Sequence, residues 1–507
     1  MNELEFLLVL LLVAAGLVRL ADLARVPYPV VLVLGGLGVG FLPGLPTVEL
    51  DPEVVFVVFL PPLLAAAAFA SSPQTLRAEA TSIGFLAVTL VLATMGVVAV
   101  VAHAVVPGLG WGPAFVLGAV LAPTDTVAAA AAFSRMGVPE RVKLLVEGEA
   151  IVNDATALVA YRVAIAAAVS GAFSPAGAFR DFFLAALGGA AIGLAFGMAE
   201  RQVLRRWADP ALCIFFTVMV PYVSYIAAEQ AGVSGVLAVV ATGLYIGWYA
   251  HEVFDAGTRL SGIAFWGVLD FAANAILFVL LGLQFPALVD ELQDTLSLGD
   301  LVGAALIVTL AVVLVRMLGT MVAGLGATRA ERVAVGWAGM RGAVSLAAAL
   351  AIPTTVEGRE EILFVTVVVI LVTLVGQGLT FPSMLKLLGI DGERPWSPGE
   401  AIARLEAAQS ALDRLDELED EGAPEELLRR MRELYRARFA RCQAVIGGDG
   451  TPPPKHVEKR MRYSAVRLEL IGVERASLIE LRNDGRLEPG VLSEIQRDLD
   501  LEEARLG

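Results

Sequence analysis

The chain has 507 residues, 57% of them hydrophobic and only 18% charged, with a mean hydropathy of +0.73 and a net charge of −15. A soluble protein of this length needs far more polar surface, which excludes an ordinary cytosolic enzyme and points to a multispan membrane protein. The acidic balance gives nothing to neutralise a phosphate backbone, so nucleic acid is not expected as a partner. The two Cys and three His are too scattered for a disulfide, a resident metal or another cofactor site.

A hydrocarbon core of ~30 Å takes roughly 20 apolar residues as helix. On that measure residues 1–384 predict about thirteen spans: 4–22, 28–43, 53–70, 82–105, 112–133, 144–169, 179–199, 210–228, 232–250, 262–285, 300–324, 333–352 and 361–383. The first starts with Glu3 and Glu5 rather than a basic segment, so it reads as a span and not a cleaved signal. Abundant Gly, Ala and Val suit close helix packing in lipid better than alternating barrel strands. The fold class is therefore an all-α polytopic membrane protein. With the N-terminus outside, Arg25, Arg77, Arg135, Arg141, Lys143, Arg201, Arg205, Arg206, Arg259, Arg329 and Arg332 fall in cytoplasmic loops. The outer loops hold only Arg180 and Arg359, beside Asp51, Asp290, Glu291, Asp294, Glu357 and Glu360. That is the positive-inside pattern, and it places the protein in the cell (inner) membrane with its tail in the cytoplasm.

Charges inside spans are costly, by ~2.5–3.5 kcal/mol even on the lenient scale, and tend to mark an ion path. The fifth span reads GAVLAPTDTVAAAAAF. Pro123 interrupts it, having no N–H and clashing with the preceding turn. Thr124 and Asp125 follow, either lining a midplane ion site or capping the second half-helix. The sixth span holds Glu147, Glu149, Asn153, Asp154 and Thr156. Glu149 and Asn153 share a helix face, and Asp154 lies about 100° round from Asn153. A buried Asp154 can hold a proton or a cation but not both, the least machinery needed for exchange. Asp270 and Asn274 in the tenth span and Arg316 in the eleventh either line the path or cross-link helices. In the twelfth, GWAGMRGAVSLAAALAIP, Arg341 keeps its charge and needs an anionic partner, for which Glu149 is the candidate. Gly336, Gly339 and Gly342 around it allow a break or a close helix contact.

The fifth and twelfth spans lie seven apart, so they run in opposite senses. That suggests an inverted repeat, spans 1–6 against 8–13, with crossing broken helices. From about residue 385 the composition changes to 25 acidic and 20 basic residues with no stretch long enough to span. The expected domains are thus 1–384, for transport, and 385–507, mostly helical and cytoplasmic. Helices are predicted there at 397–418, 425–440, 456–482 and 491–506, with a loop at 447–454. This tail is either a solvated appendage or a regulatory or dimer-stabilising element.

GEAIVNDATALV (Gly148–Val159) resembles the motif of sodium/proton exchangers of the NhaP and animal exchanger type. APTD (Ala122–Asp125), FLPPLL (Phe59–Leu64), GVSGVLAVVATGL (Gly232–Leu244) and GMRGAVSLAAALAIP (Gly339–Pro353) resemble the same family, in its order. The resemblance covers essentially the whole chain. It implies a thirteen-span homodimer with dimerisation and core subdomains and alternating access. It puts the transport carboxylate on Asp154 with Asn153 beside it, Thr124 and Asp125 at the ion, and a core ion pair between Glu149 and Arg341. The Asn-Asp order implies electroneutral exchange. Two departures stand out: Ala150 where family members often carry Ser, and Ala65–Ala68 where many carry an acid. Both reduce the oxygen ligands for a small hard ion, so K⁺ is as open as Na⁺.

The expected function is antiport of a monovalent cation, Na⁺ or K⁺, against H⁺, by a protein that is not an enzyme. One alternative is a proton-coupled carrier of another small solute, which would call for aromatic or paired basic groups that are scarce here. The other is a non-transporting sensor acting through its tail.

Overall fold

The computed structural model describes residues 3–24, 26–41, 52–71, 76–77, 79–125, 127–133, 138–171, 175–207, 209–293, 297–323, 327–390, 398–447 and 455–483, with 495–496, 499–500 and 502–503 near the end. The chain forms two compact units, Met1–Glu393 and Arg394–Gly507. Every regular element among the described residues is a helix.

In the first unit these are α1 (Glu3–Ala24), α2 (Tyr28–Gly40), α3 (Pro52–Ala70), α4 (Ala80–Val105), α5 (Trp111–Leu121), α6 (Val127–Phe133), α7 (Glu140–Ser170) and α8 (Pro175–Leu204). Then come α9 (Pro210–Gln230), α10 (Gly235–Val253), α11 (Ala256–Gln293), α12 (Leu298–Val322), α13 (Arg329–Trp337), α14 (Ala343–Leu350) and α15 (Arg359–Leu387). Among the described residues eight helices, α4, α7 to α12 and α15, are long and apolar enough to cross a membrane. Eight of the thirteen expected spans fall on them. The other five fall on α1, α2 and α3 and on two helices interrupted midway, α5/α6 and α13/α14.

The interruptions follow from local sequence. Pro123 stops α5, and Asp125 starts α6 by accepting the Val127 N–H at 2.8 Å, an N-cap contact. α13 opens with a capping box: the Glu331 amide donates to Thr328 Oγ1 and the Thr328 amide to Glu331 Oε2. It stops before the Gly-containing segment 338–342, and α14 resumes at Ala343. The two breaks meet. The Asp125 amide donates to Met340 O at 2.7 Å, and Arg341 Nε donates to Leu121 O at 2.6 Å.

Small residues set the helix spacing elsewhere. On α8, Gly189 and Gly193 lie so close to the backbone of Ser234 and Ala238 that a methyl group at either would overlap a carbonyl oxygen. α8 and α10 therefore pack backbone to backbone, the arrangement lipid favours because apolar side chains gain little by leaving it. Gly232 takes a left-handed φ of +73° in the turn before α10, and the Ser234 side chain caps that helix. α15 is the most buried of the eight long helices and α8 the least. α15 carries a π-helical turn at Thr373–Gln377, and α4 another at Phe85–Thr89. Neither was expected from sequence.

The second unit contains α16 (Pro398–Asp420), α17 (Glu425–Gly447) and α18 (Lys455–Asn483). α16 and α17 form a hairpin turning at Gly422, φ +87°, with Arg432 bridging Asp416 at 2.7 Å and also pairing with Glu419. Leu415, Leu428 and Cys442 are buried in this unit. Arg467 of α18 reaches Glu502 at 2.6 Å. The expected loop at 447–454 lies almost wholly outside the described residues, as does most of the expected last helix at 491–506. Composition changes near 385, before the first unit ends, because α15 runs on to Leu387.

Candidate functional site at the crossing of two interrupted helices

α7 carries three polar side chains into the crossing. Asn153 is fully buried and donates from Nδ2 to Thr124 Oγ1 at 2.7 Å, tying α7 to the first break. Its Nδ2 also lies 3.4 Å from Glu149 Oε1, one turn back. Asp154, rotated round the helix as the spacing requires, is 9% exposed and faces a different way.

The expected ion pair of Glu149 with Arg341 is not made. Glu149 pairs instead with Arg316 of α12: Nη2 donates to Oε2 at 2.6 Å and Nη1 to Oε1. Both side chains are at most 3% exposed. A planar guanidinium matches both carboxylate oxygens at once, which makes such a pair tenable away from water. Arg316 is thus a helix cross-link. Arg341, 1% exposed, donates from Nε to Leu121 O and from Nη1 to Gly339 O, each at 2.6 Å. Leu121 ends α5, so its carbonyl has lost its helical donor and Arg341 supplies one. The Arg341 amide donates to Thr373 Oγ1 at 3.2 Å, which ties the π turn of α15 to the same crossing.

A cavity of about 890 Å³ opens beside the crossing. Thr124, Asp125, Asp154 and Ser345 form its polar floor. Of the four residues expected at the ion, Thr124, Asp125 and Asp154 line it; Asn153 does not, and stands behind Thr124. Ala66, Ala67 and Ala150 present methyl groups where oxygens were expected to be missing. Ser71, just past the end of α3, and Arg259, in the first turn of α11, lie along the same wall, with Glu147 about two turns into α7. Asp255 caps α11, and hydrogen bonds from the Thr258 hydroxyl and amide hold its carboxyl below the ordinary range.

Three buried oxygens at the crossing have no hydrogen-bond partner among the described residues: Asp154 Oδ1, Asp125 Oδ2 and Asn153 Oδ1. The Ser345 hydroxyl is likewise unpartnered. Sequence reasoning missed Ser345; the available signal was a hydroxyl just past the Gly-Met-Arg-Gly break, in the first turn of the resumed helix. Buried polar atoms are normally satisfied, so the unsatisfied oxygens of Asp154, Asp125 and Ser345 around one cavity are suited to a positive guest. Formal charge agrees. Glu149, Asp125, Asp154 and, on the same cavity wall, Asp270 outnumber the two guanidiniums, Arg316 and Arg341, so the site carries net negative charge. A proton or a monovalent cation at Asp154 offsets part of it. Among the described residues no cluster of three or more His, Cys, Asp and Glu could hold a metal ion.

Residues 7–387 match the family model described as sodium/hydrogen exchanger, transmembrane. The chain is 33% identical to an uncharacterized Na(+)/H(+) exchanger of Mycobacterium tuberculosis over 505 residues, 95% of this chain and 92% of that one. It is 34% identical to a sodium, potassium, lithium and rubidium/H(+) antiporter of Bacillus pumilus, across 75% of this chain and 60% of that one. In fold it is similar to the sodium proton antiporter MjNhaP1 from Methanocaldococcus jannaschii, with a TM-score of 0.64 at 21% identity, covering 76% of this chain and 98% of that one.

Proposed function

This chain belongs to the sodium/hydrogen exchanger family, a transporter family, and on that premise we propose that it exchanges one monovalent cation for one proton across the cell membrane. The observation that carries the reading is the buried, unpartnered Asp154 Oδ1 beside the unpartnered Asp125 Oδ2 on one cavity. Asp154 loses its proton to the open side and takes a cation together with Asp125, Thr124 and Ser345. Asn153 holds Thr124 in place, and Glu149 with Arg316 fixes α7 against α12. A cavity floor left empty and charged is costly to carry through a closed state, so the core moves only when loaded. One charge in and one charge out makes the cycle electroneutral.

The loop charges support an outside N-terminus and a cytoplasmic tail. On that orientation the end of the cavity wall marked by Ser71 and Arg259 is cytoplasmic. The poorly buried face of α8 is left for lipid or for a second copy in a homodimer. The methyl-lined wall at Ala66, Ala67 and Ala150 offers fewer oxygens to replace the ion's water, which favours K⁺, the more weakly hydrated ion, alongside Na⁺.

Proteoliposomes containing a pH-sensitive dye test the reading. Either cation should drive proton movement, and Asp154→Asn should reduce it at least a hundredfold while the protein still folds; an Asp154→Asn variant that exchanges normally refutes the assigned role. Competition also fixes a sign with pH. Protons occupy the site at acid pH, so the apparent KM for the cation should rise as pH falls, approaching ~tenfold per pH unit in the limit of one competing proton. A KM that is flat across the titration range would contradict a shared site.

A further inference from the structure

α11 contributes Arg259, Ile263, Trp266, Asp270 and Asn274 to the wall of the same cavity. Their spacing is one continuous stripe of a helix, and Asp270 lies about 16 Å along the axis from Arg259. A carboxylate in the middle of an apolar span calls for a reason. Among the described residues its hydrogen bonds stay on its own helix: Asn274 Nδ2 donates to Asp270 Oδ1 at 3.1 Å and to Asp270 O at 2.9 Å. They fix no neighbouring helix, and a neutral amide cancels no charge. Asp125 and Tyr28 line the same cavity as Asp270. The destination is marked independently by the buried, unpartnered Asp154 Oδ1 and Asp125 Oδ2.

We propose that Asp270 is a cation-receiving carboxylate on the way to Asp154, and that it sets the apparent affinity for the ion and the discrimination between Na⁺ and K⁺. This rests on the antiport reading. Arg259 lies in the first turn of α11 and Asp270 about three turns further along it. A carboxylate in a cavity with low-dielectric walls focuses the local potential and raises the cation concentration beside it. Asn274 holds the carboxylate in place and is a positioning residue.

The test uses the full chain in proteoliposomes at fixed pH, with exchange rates measured against Na⁺ and K⁺ concentration at low and at high ionic strength. Asp270→Asn should raise KM at least fivefold, lower the maximal rate less than twofold, and alter the ratio of the Na⁺ and K⁺ KM values. The KM effect should shrink at high ionic strength, and Asp270→Glu should restore KM to within twofold of the parent. Asn274→Ala keeps the charge but frees it, and should raise KM two- to threefold; this variant decides the matter if Asp270→Asn does not fold. An unchanged KM, or a fall in maximal rate alone, overturns the role of Asp270. Failure of the unsubstituted chain to exchange either cation would instead sink the antiport reading.

Discussion

The break after Leu121 and the break after Trp337 meet at one crossing but are finished differently. In the first, Asp125 spends one oxygen on capping α6 and leaves the other without a partner. In the second, Arg341 spends its donors on the carbonyls that both breaks expose. One break therefore keeps an acceptor free for a guest, while the other uses its charge to hold the crossing together. The difference teaches that a charge buried at a helix break need not be a ligand; what separates the cases is whether its hydrogen-bonding capacity is already used. The pair of Glu149 with Arg316 belongs with the second kind, since both carboxylate oxygens are taken.

Removing Arg316 should have the largest effect on stability. Arg316→Ala leaves Glu149 buried without its partner, at a cost of about 3–5 kcal/mol. Unfolding in detergent should show the loss, and Glu149→Gln combined with Arg316→Met should recover most of it. Equal stability of Arg316→Ala and the parent would mean that the pair is not the support it is taken for. The same comparison made with Arg341 in place of Arg316 should show a weaker coupling to Glu149, because Arg341 bonds carbonyls and meets Glu149 only through space.

Gly342 separates the two breaks sterically. A Cβ there would overlap Asp125 Oδ2, so Gly342→Ala must push the free carboxylate oxygen or the crossing aside. We expect a loss of ~1–3 kcal/mol in stability and a clear loss of cation affinity, read from melting curves and exchange rates. Normal affinity in a folded Gly342→Ala protein would show that Asp125 Oδ2 is not held ready for the ion.

The smallest effect is expected at Asn153. Asn153→Ala removes the donor to Thr124 and should cost about 1–2 kcal/mol, slowing exchange without abolishing it. Total loss of transport, with the fold kept, would place Asn153 at the ion rather than behind Thr124.

Much of this was legible from sequence because lipid makes charge conspicuous. Asp125, Glu149, Asp154 and Arg341 stand out as ionisable groups in spans, and Pro123 with its neighbours announces a break. The partner of Glu149 was not legible. Spacing along α7 says which side chains share a face, not which helix lies opposite, and two spans each offered a guanidinium. Arg316 and Arg341 are equivalent on charge alone; only the packing of α12 against the crossing separates them. Ser345 was hidden because a hydroxyl in a helix ordinarily bonds back to a carbonyl one turn earlier, as Thr156 does to Val152 O. The π turn at Thr373–Gln377 reads as ordinary apolar helix in sequence, yet it presents Thr373 to the Arg341 amide. The tail showed its helices through periodicity, and its composition carries no catalytic or phosphate-binding pattern.

The most direct measurement is proton release on ion binding. In a lightly buffered solution of purified protein, adding Na⁺ or K⁺ should release up to about one proton per chain, and Asp154→Asn should abolish the release. Cation binding by the folded protein with no proton released at any pH would contradict a site that one carboxylate shares between the two ions.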